Sequence, residues 1–327
     1  MPPKVSLAVT PQQAVAYRFA VHNLVTRLAP GDYVRAARYA LQDSGPRDGL
    51  ISLHARVTDC EPSAWEAPGL AQVYSPRGAV HIVPFDDFGV FTIGRLPFDS
   101  DRRREIERTA DEICKVLDGR ELRQVGLPGL REASASGRIA VRWTTSALYV
   151  REIVAPEVDP YGARMELCRR HIHAYGPTTP AAFAWWSGLT PADGRRTWAF
   201  VADQLIPVTV GPTAAWILAE DEEAIRCAPP AVGTRFLPPG ELRIFGQDRT
   251  LTFVGPGQRQ RPPRTDYFHP HGLVHDGRMI GAWARRGGQV HVRVPEPLPE
   301  DVLAAAEAEV AAMPIPEHTT SLEVSVV

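Results

Sequence analysis

The chain has almost no lysine. Of its 36 basic residues only Lys4 and Lys115 are lysines, so chemistry that runs through a lysine Schiff base has almost no candidates. It is also poor in cysteine. Cys60, Cys114, Cys168 and Cys227 lie far apart and form no Cys-x-x-Cys pair, which excludes a thiolate zinc ribbon or a disulfide frame and reads as free thiols in a reducing compartment. No run of about 18 apolar residues is present, so no membrane span is expected. The opening Met1-Pro2-Pro3-Lys4-Val5 lacks the basic-then-apolar order of a secretory signal, and a cytoplasmic location follows, nucleoid-associated if the chain binds DNA. A net charge of −2 excludes a surface that is basic all round; a nucleic-acid site has to be a local patch. The histidines His171 and His173 near Cys168, and His269, His271 and His275, lack standard zinc spacing, so no metal is expected.

What is present is an ordinary globular composition, 44% hydrophobic and 23% charged over 327 residues, long enough for two to four modules. Residues 11–28, 32–41 and 47–57 read as helices, and residues 73–83 as a β-hairpin turning at Ser75-Pro76-Arg77-Gly78. Helices followed by a basic-tipped hairpin are the winged-helix order. The order recurs, with helices at 101–117, 121–125 and 130–135 and a strand at 138–143. It recurs again, with helices at 164–175, 179–187 and 191–205 and strands at 207–210 and 215–218. Residues 229–240 are rich in proline and glycine and read as a linker. Beyond them come expected strands at 242–245, 251–254, 272–275, 279–284 and 290–294, and a last helix at 299–313. The expected fold class is α+β: three tandem winged helix-turn-helix units (1–100, 101–160, 161–228) and a C-terminal β-rich module (229–327).

The densest polar cluster is Gln42-Asp43-Ser44, between two helix-like segments. It is either a helix cap, with Asp43 or Ser44 preceding Pro46 in a first turn, or a place where a water is held for chemistry. Residues two apart share a face only in extended chain. Basic candidates for phosphate contact are Arg47, Arg77, Arg123, Arg138 and Arg142, together with Arg285-Arg286 at a glycine-rich turn. Residues 102–142 hold ten basic and seven acidic side chains, a mild local excess. His81 is either a strand histidine bonded to a neighbouring carbonyl or a contact to DNA. Trp185-Trp186 reads as core of the third unit, with base stacking as the alternative.

Several segments taken together resemble the AlkZ/YcaQ-type winged-helix family. They are Ala40-Leu41-Gln42 with Pro46, Leu53-His54-Ala55-Arg56-Val57, residues 77–84 with Asp87, Tyr175-Gly176-Pro177 with residues 184–189, Phe236-Leu237-Pro238-Pro239, and residues 276–283. Some members of that family are DNA glycosylases acting on alkylated purines. The resemblance implies a cofactor-free, monofunctional enzyme that binds double-stranded DNA as a monomer and cleaves the N-glycosidic bond with water. The alternative is a non-catalytic DNA-binding or regulatory protein on the same fold. Enzymes of the family carry Gln-aliphatic-Gln or Gln-aliphatic-Asp. Gln42 matches the first position, whereas Asp43 and Ser44 depart from the second and third. Gln42, Asp43 and Ser44 are the expected catalytic residues. Arg47, Arg77, His81, Arg123, Arg138, Arg142, Arg285 and Arg286 are the expected DNA contacts.

Overall fold

The structure is a computed structural model and describes residues 7–45, 47–124, 126–245, 271–316 and 318–326. Strand β1 (Leu7–Val9) leads into helix α1 (Pro11–Val21). A capping box starts α1: Gln13 N–H donates to Thr10 Oγ1, and Thr10 N–H donates back to Gln13 Oε1, with Pro11 in the first turn. The helix stops well short of Leu28 because Asn23 takes a left-handed φ of 57°. The second expected helix also shortens, to α2 (Tyr33–Ala36). Ala40 breaks it at φ 63°, and Leu41–Gln42 continues as a short strand, β2. Helix α3 (Asp48–His54) follows Arg47, itself left-handed at φ 70°.

The first hairpin is β3 (Leu70–Ser75) and β4 (Ala79–Pro84), followed by α4 (Phe88–Phe91) and α5 (Ser100–Leu117). The segment expected as a helix near 121 is instead strand β5 (Leu122–Arg123), since it pairs with Val150 and Tyr149. Then come α6 (Leu130–Ala133), β6 (Ile139–Trp143), β7 (Leu148–Glu152), α7 (Pro160–Tyr175), α8 (Pro180–Ser187) and α9 (Pro191–Phe200). Strands β8 (Leu205–Val210) and β9 (Thr213–Leu218) precede α10 (Glu222–Arg226). The expected linker contains a strand, β10 (Thr234–Leu237), buried along its whole length and paired with β11 (His271–His275). The expected strand at 242–245 is a 3-10 turn, Glu241–Phe245. The strand expected at 251–254 lies outside the described residues. The chain closes with β12 (Arg278–Arg286), β13 (Gln289–Val294), α11 (Glu300–Ala311) and β14 (Ser321–Val326).

The strands form three sheets, in the orders β2-β4-β3-β6-β7-β5, β1-β8-β9 and β10-β11-β12-β13-β14. The first sheet joins the first two hairpins through one pairing, Gln72 with Val141. Strand β1 runs parallel to β8, so the N-terminus completes a sheet whose other strands lie some two hundred positions later. The main apolar cluster draws Phe19, Val73, Phe91, Ile172, Phe183, Trp186, Leu237 and Val274 from α1, the hairpin, α4, α7, α8, β10 and β11. The fold is thus mixed α+β around a shared core.

Two buried arginines tie these parts together. Arg18, 1% exposed, donates to the carbonyls of Gly176, Pro177 and Ile244. Arg56 pairs with Glu241, both buried. Each side chain spans a distant stretch of sequence, and each guanidinium is compensated, as buried charge requires.

Candidate active site

Strand β2 decides where the polar cluster points. Gln42 lies opposite His81 on β4, and in this extended stretch alternate side chains share a face. Gln42 and Ser44 turn outward together, with Gln42 Nε2 donating to Ser44 Oγ at 2.8 Å. Asp43 turns inward and is 1% exposed. Its Oδ1 accepts from Gly49 N–H at 2.9 Å, in the first turn of α3, and its Oδ2 accepts from Gln72 Nε2 at 2.7 Å. Burial pushes the Asp43 carboxyl up to about 7, against the pull of those two donors. It ties the first turn of α3 to the sheet, and with Ser44 it also lines the cleft described below.

The Gln42 amide is tightly held. Arg77 Nη2 donates to its Oε1 at 3.1 Å, and Arg243 Nη2 donates to the same oxygen. Both guanidiniums also face the Trp185 ring, at 4.5 Å and 5.7 Å from its centroid. Trp185 is 50% exposed. Its neighbour Trp186 is buried against His171 and Tyr175. The tandem tryptophans therefore divide, one into the core and one onto the surface beside Gln42.

Glycines permit this approach. A Cβ on Gly240 would stand 2.6 Å from Gln42 Cβ, and a Cβ on Gly188 would stand 3.0 Å from Arg77 Cα. The N-terminal unit, the hairpin turn, the end of α8 and the 3-10 turn at Glu241–Phe245 thus converge on one amide. A second link runs beneath the same loop. Asp48 Oδ2 accepts from Gly45 N–H at 2.8 Å, and its Oδ1 is 3.0 Å from His271 Nε2. The His271 ring packs on Trp283 at 4.5 Å. This bridge fixes the loop to the C-terminal sheet.

Beside Ser44 a cleft of 420 Å³ opens between the first hairpin and the second unit, lined by Tyr74, Arg77, Gln124, Arg131 and Trp143 among others. A larger hollow of 610 Å³ has Glu61 and Glu66 in its wall and shares no lining residue with this cleft. Carboxylates on its rim suit a polyanion poorly. The basic cleft meets Gln42 through Ser44 and Arg77, which line it and bond the Gln42 amide.

The remaining expected contacts scatter. Arg47 covers the Trp65 ring at 3.8 Å, and burial lowers its pKa. His81 is 1% exposed, its Nδ1 is 3.0 Å from the Ala79 carbonyl, and burial depresses it to about 3. It is a neutral ring on the same side of the sheet as Gln42 and closed to solvent. Arg138 is engaged by Asp111 and by Glu152 at 3.3 Å, and the Asp111 bond holds its pKa above the ordinary range. Arg142 is engaged by Glu121 at 2.8 Å and Glu66 at 3.8 Å. Arg123 is exposed on β5, at the edge of its sheet. Arg285 donates to the Gly287 carbonyl at 2.7 Å, while Arg286 is exposed at the end of β12.

No sequence pattern signals Arg243 or the Asp48–His271 bridge. A residue in a 3-10 turn gives no periodic signal, although Arg243 follows the Phe236-Leu237-Pro238-Pro239 segment closely. Among the described residues no helix is long and apolar enough to cross a membrane, and no group of three or more His, Cys, Asp or Glu side chains could hold a metal ion.

Comparison with known proteins agrees with this architecture. The solved structure of the DNA glycosylase AlkZ of Streptomyces sahachiroi superposes with a TM-score of 0.75 at 17% sequence identity, covering 98% of this chain and 100% of that one. No curated protein matches the chain. The description of the AlkZ-like DNA glycosylase family matches residues 117–314. On that match, the chain belongs to the AlkZ-like DNA glycosylase family.

Proposed function

We propose that this DNA glycosylase excises alkylated purines that are cationic or bulky, by water attack on the N-glycosidic bond, with Gln42 as its central residue. The observation that carries this reading is the outward pairing of Gln42 and Ser44 at a face where Arg77, Arg243 and Trp185 converge. A purine alkylated on its ring nitrogen already carries a positive charge and leaves without strong acid assistance. What remains for the protein is to orient a water and to face the positive sugar with a dipole. The water oxygen bonds to C1′ as the C1′–N bond breaks. The bonding pair goes to the base and neutralises it, and the surplus proton of the water passes to solvent.

In this reading Gln42 Oε1 is the dipole and Ser44 Oγ its outward neighbour. Asp43 acts from below, anchoring β2 to α3 and to Gln72. Arg77 and Arg243 hold Oε1 in the unbound protein, and DNA phosphates are stronger partners for a guanidinium than a neutral amide. The three helix-and-hairpin groupings are read as tandem winged helices that place the duplex across the Gln42 face, in a cytoplasmic, nucleoid-associated monomer that needs no cofactor. Arg286 and Arg123 serve as outlying phosphate contacts.

The test is incubation with a duplex containing 7-methylguanine, scored for free base, with Gln42→Ala beside the wild type. The expected loss on removing one oriented polar group is about a hundredfold. Absence of base release from several alkylated duplexes refutes the reading. Salt-dependent binding without release would instead support the non-catalytic alternative.

A further inference from the structure

Trp185 is half exposed beside Gln42, with the Arg77 and Arg243 guanidiniums against its ring. Helix α8 begins with Thr179 capping Ala182 N–H and Pro180 in its first turn, so the register of the helix is fixed and sends Trp186 inward. The end of the helix is fixed as well. Arg95 donates to the Ser187 carbonyl at 3.1 Å and to the Tyr74 carbonyl at 2.8 Å, while Gly188 lies against the Arg77 backbone. The indole is thus held out on a rigid support. Arg77 approaches it from a left-handed hairpin position (φ 54°), and its Nε is buried with no hydrogen-bond partner among the described residues.

A half-open indole beside two guanidiniums matches the parts of a nucleotide. The ring offers a π face to a heterocycle, and the guanidiniums offer forked donors to a phosphate. Electron-poor rings stack on indole most favourably, and a ring-alkylated purine is such a ring. The link to the chemistry is direct, because the same two arginines bind Gln42 Oε1.

We propose that Trp185 is the stacking surface for the purine base of the nucleotide being cleaved, with Arg77 and Arg243 taking its flanking phosphates. This inference rests on the glycosylase reading at Gln42. Trp185 is then a binding residue that discriminates damaged from undamaged nucleotides, and it does not take part in the bond changes.

The test uses the full chain and three duplexes alike except at one position, which carries 7-methylguanine on a cleavage-resistant 2′-fluorinated sugar, unmodified guanine, or an abasic site. Affinities are measured for wild type, Trp185→Ala and Trp185→Phe. Wild type is expected to prefer the methylated duplex. Trp185→Ala is expected to lose about tenfold or more on that duplex alone, and Trp185→Phe to keep most of the preference with an unchanged melting temperature. Three results overturn the proposal: no preference in wild type, no change in Trp185→Ala, or an equal loss on all three duplexes. Base release from the natural sugar is scored in parallel. Preference without release would leave the stacking surface standing and remove the glycosylase reading.

Discussion

Asp43 tests whether the inward turn of the motif is structural, and its titration gives the magnitude. The carboxyl is pushed from 3.8 to about 7, chiefly by burial. Because its folded value is raised, the folded state binds the proton more tightly than the unfolded chain does. This contribution to stability is fully present below about pH 4 and is lost as pH rises through about 7. At about 1.4 kcal/mol per unit, the full span is about 4 kcal/mol, and about 3 kcal/mol of it falls between pH 5 and pH 8. The perturbation is Asp43→Asn, which cannot titrate. Its amide also clashes with one neighbour: Gln72 Oε1 accepts from Trp143 N–H at 2.5 Å, which commits the Gln72 NH₂ toward position 43. That clash is a constant offset and cancels in a comparison across pH. Denaturant unfolding of both proteins at the two pH values should show the wild type losing about 3 kcal/mol relative to Asp43→Asn on going to the higher pH. A gap that changes by less than about 1 kcal/mol would refute the burial argument. Base release by Asp43→Asn should stay within a few-fold of wild type, since both carboxylate oxygens are already engaged by Gly49 N–H and Gln72 Nε2.

Glu241→Ala strands Arg56 in the core and should cost about 3–5 kcal/mol of unfolding free energy; denaturant unfolding of the variant beside the wild type checks it, and a loss under 1 kcal/mol would show that water compensates the arginine. Gly240→Ala adds a methyl 2.6 Å from Gln42 Cβ and should lower single-turnover base release at least tenfold with little change in duplex affinity, a split that separates displaced chemistry from weakened binding. Arg286→Ala should reduce the slope of log affinity against log salt by about 1, whereas Arg138→Ala, already neutralised by Asp111 and Glu152, should leave it unchanged. Equal slopes in both variants would mean that pairing in the unbound protein does not decide which arginines meet phosphate.

The fold was legible wherever amphipathic period and turn chemistry agreed. Helix α5, the first hairpin and strands β11 to β13 stand close to where residues 101–117, 73–83 and 272–294 predict them. Where strands were not foreseen, pairing partners distant in sequence override local preference. Thr234–Leu237 sits in a stretch of proline and glycine, yet its apolar residues find β11 across many intervening positions. Leu122–Arg123 and Leu41–Gln42 are too short for any period, and become strands only because β7 and β4 offer edges. The helices fall short of residues 11–28 and 32–41 where Asn23 and Ala40 go left-handed, a conformation that asparagine tolerates and alanine gives no sign of.

In the candidate site the outward pair is legible in the sequence, whereas the groups that surround it are not. The spacing of Gln42 and Ser44 carries the signal, since two outward side chains need extended chain, and β2 supplies it. The departure at the middle position then acquires a physical meaning. In a motif whose middle residue points into the core, an aliphatic side chain would meet apolar neighbours, whereas Asp43 needs donors, and Gly49 N–H and Gln72 Nε2 supply them. A carboxylate at that position reports on the core beneath the motif and is compatible with unchanged chemistry above it. Exchanging Asp43 and Ser44 would set the carboxylate beside Gln42 but leave Gly49 N–H and Gln72 Nε2 sharing one hydroxyl in a closed space. The order Gln42-Asp43-Ser44 is therefore constrained from below as much as from its outward face.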